Sequence, residues 1–196
     1  YPLQSGSDRV LALMHRGYTA ERYLDRLAEA RRTIPDLAVS TDIIVGFPGE
    51  TDDDFERTLE VAAAAEYDYA YTFMFSPRPG TEAAEMETDF VDPAVASERF
   101  ERLRVVVERS AIAKHEARVG RTEEVLVEGP SKKDPGVTSG RTRQNKLVHF
   151  AAPRPLRAGS YARVVVTRAA PHHLIGDYVG HVADARHTMR IPVASL

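Results

Sequence analysis

Residues 38–45, AVSTDIIV, alternate with a period of two. Ser40, Asp42 and Ile44 share one face with the following Gly46, and Thr41, Ile43 and Val45 share the other. The pattern predicts a buried strand with one carboxylate on an otherwise apolar surface. A buried, unpaired charge costs several kcal/mol, so Asp42 is expected to meet a cation, a backbone N–H or a ligand hydroxyl. Gly46-Phe47-Pro48-Gly49 then permits a sharp turn. Thr51, with Asp54 three residues on, forms a capping box ahead of Phe55, Leu59, Ala62 and Ala63 at helical spacing.

The same strand-then-helix rhythm extends to either side. Residues 1–4 read as a strand end. Ser7-Asp8 offers a cap for a helix carrying Val10, Leu11, Leu13 and Met14, and Gly17 stops it. Thr19 opens a second helix with Tyr23, Leu24, Leu27 and Ala28 at core spacing, ending before Pro35. After the Thr51 helix comes an aromatic strand, residues 69–75, closed by the proline- and glycine-rich loop 76–80. Strands separated by helices imply parallel pairing, as in a (β/α) barrel or an open doubly wound sheet. Three strands are too few to close a barrel, so the others are expected before Tyr1. Asp92-Pro93 starts a long helix through Phe100, Leu103 and Val107, and Gly120 ends it.

Beyond Gly120 the period changes. Residues 124–128, 137–141, 146–150, 161–167 and 174–179 read as short strands broken by Gly, Pro and Ser, which predicts a small five-stranded barrel of the oligonucleotide-binding kind. The expected division is an α/β domain over 1–118, an all-β domain over 119–182 and a patternless tail over 183–196.

Charge sharpens that boundary. The net formal charge of −3 conceals −9 over residues 1–118 and +6 over 119–196. Between Lys132 and Arg168 stand nine basic residues and one acid, Asp134, a bias suited to a polyanion. The chain has no cysteine, which removes disulfides and thiolate metal ligands from these 196 residues, and no metal-binding residue is assigned. It has no apolar run of membrane-spanning length and no secretory leader, so a cytoplasmic protein without a membrane partner is expected. A first residue of Tyr, not Met, suggests a fragment.

In a parallel barrel the reactive rim lies at the C-terminal ends of the strands, which would gather Gln4, Ser5, Asp42, Gly46 and Ser76. Taken singly, each but Asp42 is also explained as a loop polar group or a turn. Lys132, Lys133, Arg141, Arg143, Lys146 and Arg168 are candidate phosphate contacts, with Phe150, Tyr161 and nearby histidines for stacking. They serve equally as solubilising charges, but the clustering favours nucleic acid, and RNA over duplex DNA because this region shows no recognition helix.

Three segments in order, PLQSGSDRVLALMHRGYT, STDIIVGFPGET and YTFMFSPRPGT, strongly resemble the radical S-adenosylmethionine tRNA methylthiotransferases, and residues 119–180 resemble the TRAM domain that closes them. The resemblance covers residues 1–180. It implies the C-terminal part of a partial (β/α) TIM barrel followed by a small TRAM β-barrel. S-adenosylmethionine would lie over the strand ends, touched by Gln4, Ser5, Arg16, Asp42 and Gly46, with Arg16 suited to the methionyl carboxylate. It implies two [4Fe-4S] clusters held by cysteines, none of which is here, so no catalytic residue falls within this chain and the chain alone should be inactive. The implied activity is methylthiolation of an isopentenylated adenosine in the tRNA anticodon stem-loop, with sulfur and electron donors unnamed. Ser5 after Pro-Leu-Gln favours the tRNA branch over the branch acting on a ribosomal protein, where histidine is usual. A methylthiotransferase acting on threonylcarbamoyl-adenosine tRNA or on a ribosomal protein, a barrel for a phosphorylated metabolite, and a non-enzymatic RNA-binding adaptor are the alternatives.

Overall fold

Side-chain caps place the helices of the computed structural model, which describes residues 1–185. Ser7 Oγ accepts the Val10 N–H to start α1 (Asp8–Leu13), and Thr19 Oγ1 accepts the Arg22 N–H to start α2 (Ala20–Thr33). After β1 (Ser40–Val45), the predicted capping box is present: Thr51 and Asp54 satisfy each other's N–H at the head of α3 (Asp52–Ala65). Next come β2 (Tyr69–Met74), the short α4 (Glu82–Glu85), a 3-10 turn (Glu87–Asp89) and the long α5 (Pro93–Glu116). Five strands then run to the end of the described residues: β3 (Thr122–Pro130), β4 (Thr138–Thr142), β5 (Leu147–Ala151), β6 (Tyr161–Ala169) and β7 (Leu174–Ala183). The chain divides into two units, residues 1–114 and the residues from His115 on.

In the first unit β1 and β2 pair in parallel, Asp42 opposite Tyr71 and Ile44 opposite Phe73. The strand expected over residues 1–4 is reduced to one parallel bridge, Gln4 to Ile43. Gln4 has a left-handed φ of 68°, which ends the extended run after Leu3. Helices cover one face of this pair only. Ile43 and Val45 join Leu3, Tyr23, Leu27, Phe55, Tyr67, Leu103 and Val107 in a closed core, while Tyr69, Tyr71 and Phe73 lie about half exposed. Full burial of one such large side chain stabilises by roughly 1.5–3 kcal/mol, so the helical face carries the unit.

The second unit is a closed barrel in the order β3-β4-β5-β7-β6, antiparallel except for the β5–β7 seam. Strict alternation in β3 sends Val125 and Val127 inward, where Val148, Phe150, Val164, Val166 and Leu174 meet them. Two glycines permit the close strand approach. A Cβ on Gly140 would lie 2.5 Å from Leu126 O, and one on Gly176 would lie 2.4 Å from Val165 O. All five predicted strands are present. Residues 183–185 of the expected tail are described, and the rest of it lies outside the described residues. No helix among the described residues is long and apolar enough to cross a membrane.

Candidate functional site

The first candidate site grows from the open face of β1. Its neighbour there is the segment around Gln4, whose N–H donates to Asp42 O at 2.8 Å and whose carbonyl accepts the Ile44 N–H at 2.9 Å. Gln4 stands opposite Ile43 in this bridge and is 7 % exposed, one register position from Asp42. Neither the Gln4 amide nor the Asp42 carboxylate has a hydrogen-bond or ion-pair partner among the described residues, and Asp42 is half-buried. The expectation of a buried, partnered Asp42 is corrected: the face it occupies lacks a covering helix, so solvent reaches it. Arg16 is exposed, its guanidinium likewise without a partner among the described residues. It follows α1, and two residues on the Tyr18 hydroxyl donates to the carbonyls of Pro2 and Leu3, both at 3.1 Å, fixing this segment to the Gln4 strand.

Ser5 occupies a different position. It is fully buried, its hydroxyl 3.3 Å from Thr58 Oγ1 and accepting the Ser7 N–H at 3.2 Å. It therefore anchors the loop to α3, and a ligand at the open face cannot reach its hydroxyl. Gly6 beside it donates its N–H to Thr58 Oγ1 at 3.0 Å, and a Cβ there would lie 2.6 Å from both Arg57 O and Thr58 Cα. Gly46 is needed for two reasons, a φ of 71° and an approach that would leave a Cβ 2.9 Å from Ala96 Cβ. The space beside it is filled by α5. Ser76 follows β2 and is exposed.

Two carboxylates, the capping Asp54 and the unassigned Glu50, hold this rim in shape. Asp54 accepts hydrogen bonds from Ser7 and Arg9 as well as from its capping partner, and Arg9 also donates to the Gly49 carbonyl. Burial pushes the Asp54 carboxyl up, but the bonds from Arg9, Ser7 and Thr51 outweigh it and hold it well below the ordinary carboxylate range. Glu50, 5 % exposed, meets Arg99 of α5, 4 % exposed, at 2.9 Å and takes the Gly46 N–H at 2.7 Å. Arg99 reaches on to the Glu50 carbonyl at 3.1 Å and Asp52 at 2.6 Å. Burial raises the Glu50 carboxyl, against the pull of the Gly46 N–H and Arg99. Glu50 follows directly on the Gly46-Phe47-Pro48-Gly49 turn, and no local signal sets it apart from the exposed Asp52 and Asp53 beside it.

The second candidate site is the set of basic residues of the barrel. Lys132 and Lys133 stand exposed in the β3–β4 loop, Arg143 in the turn after β4, and Arg168 on β6. Arg141 is half-buried on β4, donating to Glu128 at 3.3 Å and to the Asn145 carbonyl at 3.1 Å. Lys146 is corrected: at 4 % exposure its ammonium is folded into the barrel wall and cannot meet a phosphate outside it. No group of three or more His, Cys, Asp or Glu among the described residues could hold a metal ion.

Comparison with known proteins matches residues 1–62 to the radical SAM superfamily and residues 116–179 to the TRAM domain. The tRNA-2-methylthio-N(6)-dimethylallyladenosine synthase of Moorella thermoacetica is 52 % identical over 91 % of this chain and 40 % of its own length. The enzymes of the same name from Acidothermus cellulolyticus and Streptomyces coelicolor are each 50 % identical, over 96 % and 95 % of this chain. The chain thus spans about two fifths of the length of these relatives. The coproporphyrinogen III oxidase structure from Escherichia coli aligns over 84 % of this chain and 39 % of its own, at 15 % identity and a TM-score of 0.49, too slight to add weight. The first unit thus carries the radical SAM superfamily match and the second the TRAM domain match, and through both the chain is similar, at half identity, to tRNA-2-methylthio-N(6)-dimethylallyladenosine synthases.

Proposed function

We propose that the chain serves the methylthiolation of an isopentenylated adenosine beside the tRNA anticodon, its first unit contributing to the S-adenosylmethionine site and its barrel holding the RNA in the cytoplasm. The observation that carries this reading is continuity: half-identity to synthases of that name extends through both units in one stretch.

The residues at the open face fit S-adenosylmethionine. Half-buried Asp42 and buried Gln4 have no partner among the described residues and can bond ribose hydroxyls or the ammonium, and Arg16 offers a forked donor to the carboxylate. Bound there, S-adenosylmethionine would supply a methyl group and, given one electron from a reductant, a carbon radical. The chain's own part is to bind and orient: the Glu50–Arg99 pair fixes the Gly46 amide, and the Asp54 cluster fixes the loop that follows Gln4. The half-exposed Tyr71, paired with Asp42 across the sheet, supplies an apolar flank for a base. Iron-sulfur clusters are another matter. With no cysteine, the chain offers them no thiolate, and no step is assigned through them here.

The test is a chimera in which this chain replaces the matching segment of the Moorella thermoacetica enzyme. Mass spectrometry of digested tRNA should show methylthio in place of hydrogen on isopentenyl-adenosine. A chimera that folds and carries its clusters but leaves that nucleoside unmodified, or modifies threonylcarbamoyl-adenosine instead, overturns the proposal.

A further inference from the structure

The barrel carries a histidine pair that the basic-residue count overlooks. His149 on β5 and His173, just before β7, meet edge to face with ring centroids 5.0 Å apart. Sheet register explains the surroundings. Ser139 pairs with His149, His149 with Ile175, and Ile175 with Arg168, so a single cross-strand row sets His149 and Arg168 on either side of one isoleucine. Ser139 Oγ lies 3.0 Å from His149 Nδ1, which leaves Nε2 as the ring's other polar atom.

The charged groups acting on His173 are all basic: His149 of β5, Arg168 of β6, His172 of its own turn and Lys133 of the β3–β4 loop. Burial first, and then these neighbours, push its imidazole below its ordinary value. The acids closest in the chain are engaged or displaced. Asp134 accepts the Gly136 N–H at 2.9 Å, and Asp177 belongs to the row of Ala151 and Val165, beyond that of His149. Lys133, Arg168, His172 and His173 have no ion-pair partner among the described residues. An apposed pair of aromatic rings beside unpaired cations combines what single-stranded nucleic acid requires, a π-face for a base and positive charge for its phosphate.

We propose that the His149–His173 pair, with Arg168 and Lys133, forms a proton-coupled phosphate seat for RNA on the barrel. This rests on the RNA-holding role proposed above. A phosphate entering among these groups supplies the counter-charge they lack and draws a proton onto the imidazoles. By linkage, RNA then binds more tightly as the pH falls, by up to about tenfold per pH unit for each histidine that takes up a proton.

The test uses the whole 196-residue chain and a labelled RNA stem-loop, titrated between about pH 5.5 and pH 8 at fixed ionic strength. The expected result is binding at every pH, at least about tenfold tighter at the acidic end. His149→Gln/His173→Gln should flatten that dependence and leave the pH 8 affinity within about threefold. His181→Gln, whose ring lines a hollow with Thr122, Glu123 and Arg163, should leave the dependence intact. Both half-exposed rings tolerate substitution, and an unchanged circular dichroism melt verifies folding. Binding that is insensitive to pH, or equally sensitive in the double variant, overturns the seat while the RNA-holding role stands. No binding at any pH overturns both.

Discussion

The backbone N–H of Gln4 donates to the carbonyl of Asp42 at 2.8 Å, tying together two segments whose Gln4 and Asp42 side chains have no partner among the described residues. If they hold S-adenosylmethionine, Asp42→Ala and Arg16→Ala should each weaken its binding to the chimera. Loss of a charge-assisted hydrogen bond costs about 1.5–3 kcal/mol, roughly tenfold or more in affinity. Calorimetry giving wild-type affinity in both variants would remove these residues from the site. Ser5→Ala serves as a contrast: its hydroxyl faces Thr58, so the variant should lose stability and keep its affinity.

Arg99→Leu should destabilise the first unit by about 3–5 kcal/mol, because it leaves the Glu50 charge buried without its cation. Adding Glu50→Gln removes that charge and keeps an acceptor for the Gly46 N–H, so the double variant should recover most of the loss. The pH dependence has a definite sign. A carboxyl whose value is raised by folding binds its proton more tightly when folded, so Arg99→Leu should regain stability as the pH falls. Urea midpoints at two pH values decide this, and equal losses in single and double variants would count against it.

Asp54 behaves in the opposite sense. Its value is depressed by folding, so its contribution is complete above the ordinary 3.8 and is lost as the pH falls below it. Asp54→Asn should cost about 2 kcal/mol at neutral pH and much less in strong acid. Acid titrations of wild type and variant followed by circular dichroism should converge. Parallel curves would show that the Arg9 and Ser7 bonds do not depend on the charge.

RNA affinity of the whole chain should fall with log salt at a slope of roughly −3 to −4, and Lys132→Ala, Lys133→Ala, Arg143→Ala or Arg168→Ala should each flatten it by about one unit. Arg141→Ala should do less, since Glu128 already partners it. Lys146→Ala should change the melt and leave the slope alone. Filter binding across a salt series checks all of these together, and a flat series would exclude a phosphate-driven interface.

What could be read from the pattern was local. Capping at Ser7, Thr19 and Thr51 depends on neighbours within four residues, and strand alternation in the barrel depends only on which side is inside. Errors arose where a residue's fate is set by something distant. Asp42 looks buried until one knows that helices cover only the other face of β1. Ser5 looks like a rim residue until Thr58 is brought against it, and Lys146 looks like surface charge until the barrel folds around it. Glu50, in the turn before α3, and Arg99 of α5 are 49 residues apart, and no helical period joins them. Residues 82–85 form a single turn of helix, too short for any period to register.

The seam between β5 and β7 also governs how the barrel comes into being. Strand β7 pairs with both β5 and β6, so neither partner has a complete set of neighbours until residues 174–183 arrive. A nascent chain leaving the ribosome therefore carries open strand edges until that last pairing forms, and edges of this kind are where chains misassociate. Closure is all or nothing. A translation stall or a stop before Leu174 would release an aggregation-prone sheet, and even a heavily truncated α/β unit would be joined to a liability instead of an RNA holder.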